Sequence, residues 1–374
     1  MLHLLYESCG WHTRVALFDE KYRLQTIHYD DELRQFLEGT TVLGRVRKVS
    51  AGLNAAFVDI GDSLDGFLPL HTLPKDHPKL TEGAEVMVRV TRAPVDGKGA
   101  KLDGRVLTRK KGDAVAPAII IPHPNALSRT LMDAGDSPVR VWVVDERTRQ
   151  EVGQLISADR IGLVAENEDV DLLDTLDDQL ASAAGPQYNV EGGASLTIEV
   201  TKALTSVDVD AGRGAEHMSH MEINKASARE IFRLSRLLEL GGSIVIDFIS
   251  PRNKAERESL MDTVREVFAM DMVDHEIMPI SRSGLVEVVR KKVGENLMIR
   301  LRWPMYVAGN ILLTLWRKQS HKKPIVIEAH PDVANLLQSR LGREKALAYL
   351  GVMVDIRAEA TLPVDKYRMF ESAR

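Results

Sequence analysis

Leu204-Thr205-Ser206-Val207-Asp208-Val209-Asp210 and, after a helix-like segment, Gly241-Gly242-Ser243-Ile244-Val245-Ile246-Asp247-Phe248 are the stretches that decide the fold. Both are short runs rich in β-branched residues, which predicts buried strands. Each run ends in aspartate, and a carboxylate at the end of a buried strand is costly unless it is paired. A single such aspartate more often caps the next helix or turn. Two such strands, with a third acid at Asp210, favour neighbouring strands in which Asp208 and Asp247 share a bound cation.

The composition is that of a globular protein with two or three domains. The chain has 374 residues, of which 44% are hydrophobic and 28% charged. A formal net charge of -5 provides no overall basic field, so attraction for nucleic acid must come from local patches. The single cysteine, Cys9, excludes a disulfide framework and any Cys-x-x-Cys zinc site, and it fits a reducing compartment. No apolar run approaches the roughly 18 residues of a membrane span, and the start lacks a basic signal region, so we predict a cytoplasmic protein.

Residues 38–108 have the strand pattern of a small closed β-barrel. Short strand-like runs at 42–49, 55–61, 66–70 and 86–92 are separated by turns. Phe57 and Phe67 lie among lysines and arginines, and aromatic residues on a basic barrel surface stack the bases of single strands. Two phenylalanines in a barrel can equally belong to its core, and spacing alone leaves both alternatives open.

The remaining periodicity predicts helices over 147–158, 224–240, 254–270, 307–318 and 332–340, and a further helix after the loop that begins at Pro279. Gly241-Gly242 is expected to end the 224–240 helix. Strands are predicted over 139–144 and 352–358. The acidic residues between 166 and 178 alternate with leucines at 172, 173, 176 and 180 that have helical spacing, and we interpret the acids as a solvated helix face rather than a ring of metal ligands.

Three ordered motifs resemble the ribonuclease E/ribonuclease G family. The family's DNase-I-like catalytic domain is similar to Glu199-x3-Ala203-Leu204-Thr205-x2-Asp208, to Leu240-Gly241-Gly242-x-Ile244-Val245-Ile246-Asp247-Phe248-Ile249 and to Ile280-Ser281-Arg282-x-Gly284-Leu285-x-Glu287. Its S1-like RNA-binding domain is similar to Asn54-Ala55-Ala56-Phe57-Val58-Asp59-Ile60-Gly61 and Gly66-Phe67-Leu68-Pro69.

This resemblance implies an α+β multidomain fold. An S1-like OB-fold β-barrel (38–108) is inserted in an RNase-H-like subdomain (1–37 and 139–190), followed by a DNase-I-like α/β catalytic domain (191–298) and a small α/β C-terminal domain (299–374). In the family, the segment after the barrel opens a domain that senses 5′-monophosphate ends through a strand ending in an Arg-Thr pair. Residues 109–138 show no such strand, so they are interpreted as a reduced 5′-sensor remnant.

The resemblance also implies site residues. Asp208 and Asp247 hold Mg²⁺, and Asp210 stands where the family usually has an asparagine as third oxygen ligand. A carboxylate there is expected to tighten divalent binding, and Mn²⁺ is a possible substitute. The implied RNA-binding residues are Phe57, Phe67, Lys98, Arg213 and Arg282. The family's Cys-Pro-x-Cys zinc link has no counterpart, which excludes zinc and a zinc-linked dimer because the thiolate ligands do not exist.

The sequence therefore predicts a Mg²⁺-dependent endoribonuclease that cleaves single-stranded RNA to 5′-phosphate and 3′-hydroxyl products, in RNA processing or decay and without 5′-end sensing. Two alternatives remain open. The first is a non-catalytic protein that binds single-stranded RNA without cleaving it. The second is a ribosome-assembly factor whose association with ribosomal particles would not depend on Asp208. The oligomeric state does not follow from the sequence.

Overall fold

The computed structural model describes residues 1–31, 36–94, 97–106, 112–212, 217–318, 323–341 and 350–372, and Arg213 lies outside these ranges. The chain divides into two compact units. The larger unit comprises residues 1–31, 130–291 and 296–374, and the barrel unit comprises residues 32–129 and 292–295. Within the described ranges, no helix is long and apolar enough to cross a membrane.

The chain begins with an antiparallel meander in the larger unit. Its strands are β1 (Leu2–Ser8), β2 (His12–Phe18) and β3 (Leu24–Asp31). All three are largely buried, and Leu5, Phe18 and Leu24 contribute to the main hydrophobic core. After β3 the chain enters the barrel unit.

The barrel unit confirms the predicted closed β-barrel. Its strands are β4 (Thr41–Ser50), β5 (Ala55–Asp59), β6 (Gly66–Pro69), β7 (Glu85–Arg92) and β8 (Lys101–Asp103). They pair in the order β4-β5-β6-β8-β7, and β7 pairs with β4 to close the ring. Val42, Val58 and Val88 are buried in its core. A Cβ atom on Gly44 would overlap the Val58 side chain, so glycine is needed where these strands approach.

The segment interpreted as a sensor remnant has regular structure of its own. Strand β9 (Ala118–Ile121) pairs with β4, and helix α1 spans Ala126–Ala134. Arg129 and Thr130 lie in α1, and the buried Thr130 hydroxyl donates to the Val15 carbonyl at 3.4 Å. The only Arg-Thr pair of this segment is therefore helical.

The first sheet is completed after the barrel. The chain continues through β10 (Val139–Val143), α2 (Glu146–Val152), β11 (Ile161–Leu163) and α3 (Leu172–Ala183). The sheet order is β11-β10-β1-β2-β3, with β10 parallel to both β1 and β11. Helix α2 stops at Val152, so the predicted end at 158 is wrong; Gly153 follows it as C-cap. The acidic face of α3 is only partly solvated, because Asp177 binds Arg14 and Arg317 at 2.8 Å each.

The second sheet contains the stretches that decide the fold. Its elements are β12 (Gln187–Asn189), β13 (Ser195–Val200), β14 (Leu204–Asp210), α4 (His220–Leu237), β15 (Gly242–Asp247), α5 (Lys254–Phe268), β16 (His275–Ile277) and β17 (Val286–Arg290). The strand order is β12-β13-β14-β15-β17-β16. Strands β14 and β15 are neighbours, as predicted; they run parallel, with α4 as their crossover helix.

Two predictions in this sheet are wrong. The segment after Gly284 forms strand β17 instead of a helix, because Val286 and Val288 alternate with Glu287 and Val289 in burial, as a half-buried strand requires. Helix α4 ends through Glu239, with φ +51°, rather than through the glycine pair. The Glu239 carboxylate binds the guanidinium of Arg300 at 2.7 Å, which favours glutamate at this left-handed position.

The C-terminal part also belongs to the larger unit. It contains α6 (Leu297–Arg300), α7 (Pro304–Arg317), β18 (Ile325–Ala329), α8 (Pro331–Leu341), β19 (Val354–Ala358) and β20 (Tyr367–Glu371), and the sheet order is β19-β18-β20. Strand β20 was not predicted. Arg317 on α7 binds the buried Glu7 of β1 at 2.7 Å, so this part is joined to the first sheet by a buried ion pair.

Candidate functional site

Asp208 and Asp247 are register partners at the ends of β14 and β15. Neighbouring strands lie about 4.8 Å apart, and partners in a parallel pair point to the same face. Both aspartates are exposed, which corrects the expectation that they are buried. The strands are buried on one face only: Val207 and Ile246 pack into the core that α4 and α5 share, while the aspartates project from the other face.

The face of the second sheet that carries these aspartates, here called the open face, is rich in polar side chains. Register places Thr197 opposite Asp208, and Glu287 opposite Val245, two residues before Asp247. By the period of two along each strand, the polar residues of the open face include Ser195, Thr197, Glu199, Ser206, Asp208, Asp210, Ser243, Asp247, Glu276 and Glu287. Sequence reasoning assigned no role to Glu199 or Glu287, although strand alternation is the signal that places them there.

Asp210 shapes the turn that follows β14. Its carboxylate accepts a hydrogen bond from the backbone N–H of Gly212 at 2.9 Å. Gly212 has φ +64°, and a Cβ atom there would lie 2.5 Å from the Gly193 carbonyl oxygen, so only glycine fits. One carboxylate oxygen of Asp210 is therefore committed to the turn, and its role as third metal ligand stays a prediction.

The loop of the β16–β17 hairpin lies at the same edge of the sheet as the two aspartates. The last register pair of β15 with β17 joins Ile246 to Val286, so residues 278–285 continue past the level of Asp247. Ser281 donates its backbone N–H to the Leu285 carbonyl at 2.9 Å and closes the loop. Arg282 is exposed in this loop. The fold thus brings a cation to the edge that carries the two carboxylates.

The donor set of the aspartate pair fits a hard divalent cation. Carboxylate oxygens are the ligands that Mg²⁺ prefers, and it is usually held by one or two carboxylates together with waters and a substrate phosphate. Asp208 and Asp247 supply two exposed carboxylates side by side. Among the described residues, no three His, Cys, Asp or Glu side chains form a closed metal-binding group. The two aspartates therefore form a pair of neighbouring carboxylates.

Phe57 and Phe67 lie on the outer surface of the barrel, so the structure does not support the core alternative. They are register partners on β5 and β6, half-buried, with ring centroids 5.9 Å apart and planes inclined by 71°. Register continues the row on both sides, with Lys48 opposite Phe57 and Lys101 opposite Phe67. We call Lys48, Phe57, Phe67 and Lys101 the barrel row.

The cations of the barrel are not equally available to a ligand. Arg45 binds Glu85 at 3.4 Å and Arg47 binds Asp59 at 2.5 Å, so these two barrel cations are already paired with carboxylates. Lys98 is exposed in the turn that precedes β8. Sequence reasoning singled out Lys98 but not Lys48 or Lys101, whose positions beside the aromatic pair depend on strand register.

Two family models match this chain. A profile of the Ribonuclease E/G family matches residues 101–293, and the S1 RNA binding domain matches residues 35–104. Ribonuclease G of Escherichia coli K12 is 24% identical over 390 aligned positions, which cover 76% of this chain and 78% of that protein.

Ribonuclease E of Haemophilus influenzae is 24% identical over 382 positions, covering 76% of this chain and 41% of that protein. The chloroplastic Ribonuclease E/G-like protein of Arabidopsis thaliana is 30% identical over 135 positions, covering 34% of this chain and 14% of that protein. The chain thus spans less than half the length of these two relatives. Because the family profile covers more than half of the chain, and the two carboxylate strands lie inside the matched region, this protein belongs to the Ribonuclease E/G family.

Proposed function

We propose that this protein is a Mg²⁺-dependent endoribonuclease that cleaves single-stranded RNA to 5′-phosphate and 3′-hydroxyl products, in RNA processing or decay. The observation that carries the proposal is the register pairing of Asp208 with Asp247 on the open face of the sheet. Family membership supports RNA as the substrate, and the relatives named ribonuclease E and ribonuclease G support cleavage rather than binding alone.

Each residue of the candidate site has a separate role in the proposed cleavage. Asp208 and Asp247 hold the cation, which when bound polarises the scissile phosphate and lowers the pKa of a water. Asp210 keeps the turn after β14 in place through Gly212. Arg282, exposed at the same edge, offsets the negative charge of the RNA backbone near the scissile bond.

The barrel row selects single strands. Phe57 and Phe67 offer two ring faces at an angle, and unpaired bases stack on such faces at about 1–3 kcal/mol each. Lys48 and Lys101 flank the rings, and Lys98 extends the positive charge, so phosphates on either side of the stacked bases meet a cation. A duplex hides its base faces and cannot use this row.

We also propose the finer domain assignment and the absence of 5′-end sensing. The first sheet has the strand order β11-β10-β1-β2-β3, which supports an RNase-H-like subdomain interrupted by the barrel. The DNase-I-like catalytic domain corresponds to residues 191–298. The helical setting of Arg129 and Thr130 supports a chain without the family's 5′-phosphate pocket.

The test is a time course on a 5′-labelled unstructured RNA, in 5′-monophosphate and 5′-triphosphate forms, with Mg²⁺ or with EDTA. We expect cleavage in Mg²⁺, none in EDTA, equal rates on the two 5′ ends, and a loss of at least 100-fold in Asp247→Asn. Equal cleavage by wild type and Asp247→Asn overturns the metal centre. A strong preference for the monophosphate end would contradict the proposed absence of 5′-end sensing but not the proposed nuclease activity.

A second candidate is a non-catalytic RNA-binding protein. It is favoured by one observation: the barrel row offers stacking rings and flanking cations for RNA without any part of the carboxylate pair. Wild-type protein that binds the labelled RNA but leaves it intact in Mg²⁺ and in Mn²⁺ would establish this candidate. Co-sedimentation with ribosomal particles, unchanged in Asp208→Asn, would further identify it as an assembly factor.

A further inference from the structure

A buried asparagine holds the chain where it leaves the candidate metal site. Asn224 lies on α4, has 0% exposure, and faces the segment after β15. Its side-chain amide donates to the Ile249 carbonyl at 2.7 Å and accepts from the Ile249 N–H at 3.1 Å. Ile249 is two residues beyond Asp247, where the register with β14 has ended.

The amide of Asn224 therefore replaces a neighbouring strand. A strand neighbour would offer one donor and one acceptor to the same residue, and the carboxamide offers both from a single side chain. Leaving either backbone group of Ile249 unpaired would cost about 1–3 kcal/mol where water is excluded. The direction in which the chain leaves Asp247 is set by this pair of hydrogen bonds.

Other buried polar groups of α4 do not have this role. Ser227 and Ser235 are also 0% exposed, and in the described parts of the chain their hydroxyls have no hydrogen-bond partner. Polarity in the interior of the helix is therefore not sufficient for this contact. Asn224 is distinguished by its two hydrogen bonds to the strand that carries Asp247.

We propose that Asn224 is a positioning residue for Asp247: by fixing Ile249 it keeps the carboxylate beside that of Asp208, in the spacing that a divalent cation requires. The proposal rests on the proposed function for the assignment of the cation. Groups that orient metal ligands through such contacts typically change metal affinity by 10- to 100-fold when they are replaced.

The test measures Mn²⁺ binding by electron paramagnetic resonance on the full chain without RNA. Asn224→Asp is nearly isosteric but loses the side-chain N–H that donates a hydrogen bond to the Ile249 carbonyl. Ser235→Ala is the control on the same helix. We expect Mn²⁺ affinity to fall at least 10-fold in Asn224→Asp and to remain unchanged in Ser235→Ala. In cleavage assays, Asn224→Asp should need a correspondingly higher Mg²⁺ concentration for half-maximal rate, with the KM for RNA unchanged.

The outcomes separate the two claims. If Asp247→Asn binds Mn²⁺ like wild type, the cation site of the proposed function fails and the positioning role fails with it. If Asp247→Asn loses binding while a folded Asn224→Asp retains it, the positioning role alone is overturned. Should Asn224→Asp not fold, the titration is repeated on Asn224→Gln, which keeps the amide on a longer arm. A lower melting temperature with wild-type Mn²⁺ affinity in either variant would mean a purely structural role and would also overturn the proposal.

Discussion

Neutralising one aspartate of the candidate metal site should make the protein more stable than wild type when no metal is present. It should make the protein less stable than wild type when metal is bound. Asp208 and Asp247 stand on adjacent strands, so their carboxylates are about 5 Å apart. Two unit charges at this distance repel by about 0.8 kcal/mol in water and by about 3 kcal/mol at an effective dielectric of 20. Because both side chains are exposed, the lower value applies, and Asp247→Asn should gain about 1 kcal/mol in EDTA.

The stability difference between Asp247→Asn and wild type changes sign when the cation is added. A ligand at 100 times its dissociation constant stabilises the folded state by about 2.7 kcal/mol, and Asp247→Asn should not receive this contribution. Differential scanning calorimetry in EDTA and in Mg²⁺ measures both terms, and about 1 kcal/mol corresponds to a shift of about 2 °C for a unit of this size. The gain in EDTA should shrink in 1 M salt, where the Debye length is about 3 Å.

Glu199→Gln is the matched control. It removes the same charge from the same face, but its register partner is Ser206 rather than an acid. An equal gain in EDTA for Glu199→Gln would show that the effect reflects the net charge of -5 and not the pair. Equal stabilisation of wild type and Asp247→Asn by Mg²⁺ would refute the reasoning altogether.

Three further outcomes test other parts of the structure. Glu239→Gly relieves a left-handed backbone but removes the carboxylate that the buried Arg300 binds, so we expect a net loss of about 2 kcal/mol, seen as a lower urea midpoint. Burial raises the pKa of Glu7, but two adjacent arginines, one of them Arg317, outweigh it and hold this pKa below the usual 4.5. The stabilisation that the ionised Glu7 contributes is therefore fully present above about pH 4.5 and is lost as the pH falls through the lower pKa of Glu7 in the folded protein. Melting curves recorded from pH 7 to pH 3 measure this loss. Phe67→Ala should weaken binding of an unstructured oligonucleotide by about 1–3 kcal/mol, measured by fluorescence anisotropy.

Each of these has a control or a contrary outcome. Glu239→Gln keeps the backbone strain and loses the ion pair, so it should be less stable than Glu239→Gly, and a Glu239→Gln variant as stable as wild type would contradict the role of the ion pair. Arg317→Met should move the acid-induced loss to higher pH, and an unchanged profile would contradict the role of this arginine. Arg47→Gln removes a barrel cation that Asp59 already neutralises, so its RNA affinity should change far less than that of Phe67→Ala. Equal losses of RNA affinity in Arg47→Gln and Phe67→Ala would mean that charge, and not stacking, binds the RNA.

The strand pair was predictable because its evidence is local. Two β-branched runs that end in aspartate, joined by a helical segment, predict neighbouring strands with their acids close together, and the register of Asp208 with Asp247 confirms that the strands are neighbours. Exposure of the acids was not predictable in the same way. It depends on which face of the sheet the helices cover. A run of β-branched residues has the same sequence pattern whether one or both faces of the sheet are buried.

Non-local register explains the remaining failures. Lys48 faces Phe57 because β4 carries an irregularity between Val46 and Lys48, which the local pattern does not reveal. Asn224 reads as an ordinary polar residue within a helix, and its partner Ile249 is 25 residues away. The helix predicted after the loop that begins at Pro279 is instead strand β17, whose last residue, Arg290, is buried against Asp271 at 2.6 Å.

The open face of the second sheet has a consequence for how this protein can change over evolutionary time. Side chains on the helix-covered face are constrained by volume, since core substitutions there carry cavity or overpacking costs. Side chains such as Thr197, Ser206 and Val245 share the opposite face with the two aspartates and are not enclosed by the packed helices. Their identities can change with little cost to folding, so the surroundings of the two carboxylates can vary under selection while the packed scaffold stays the same.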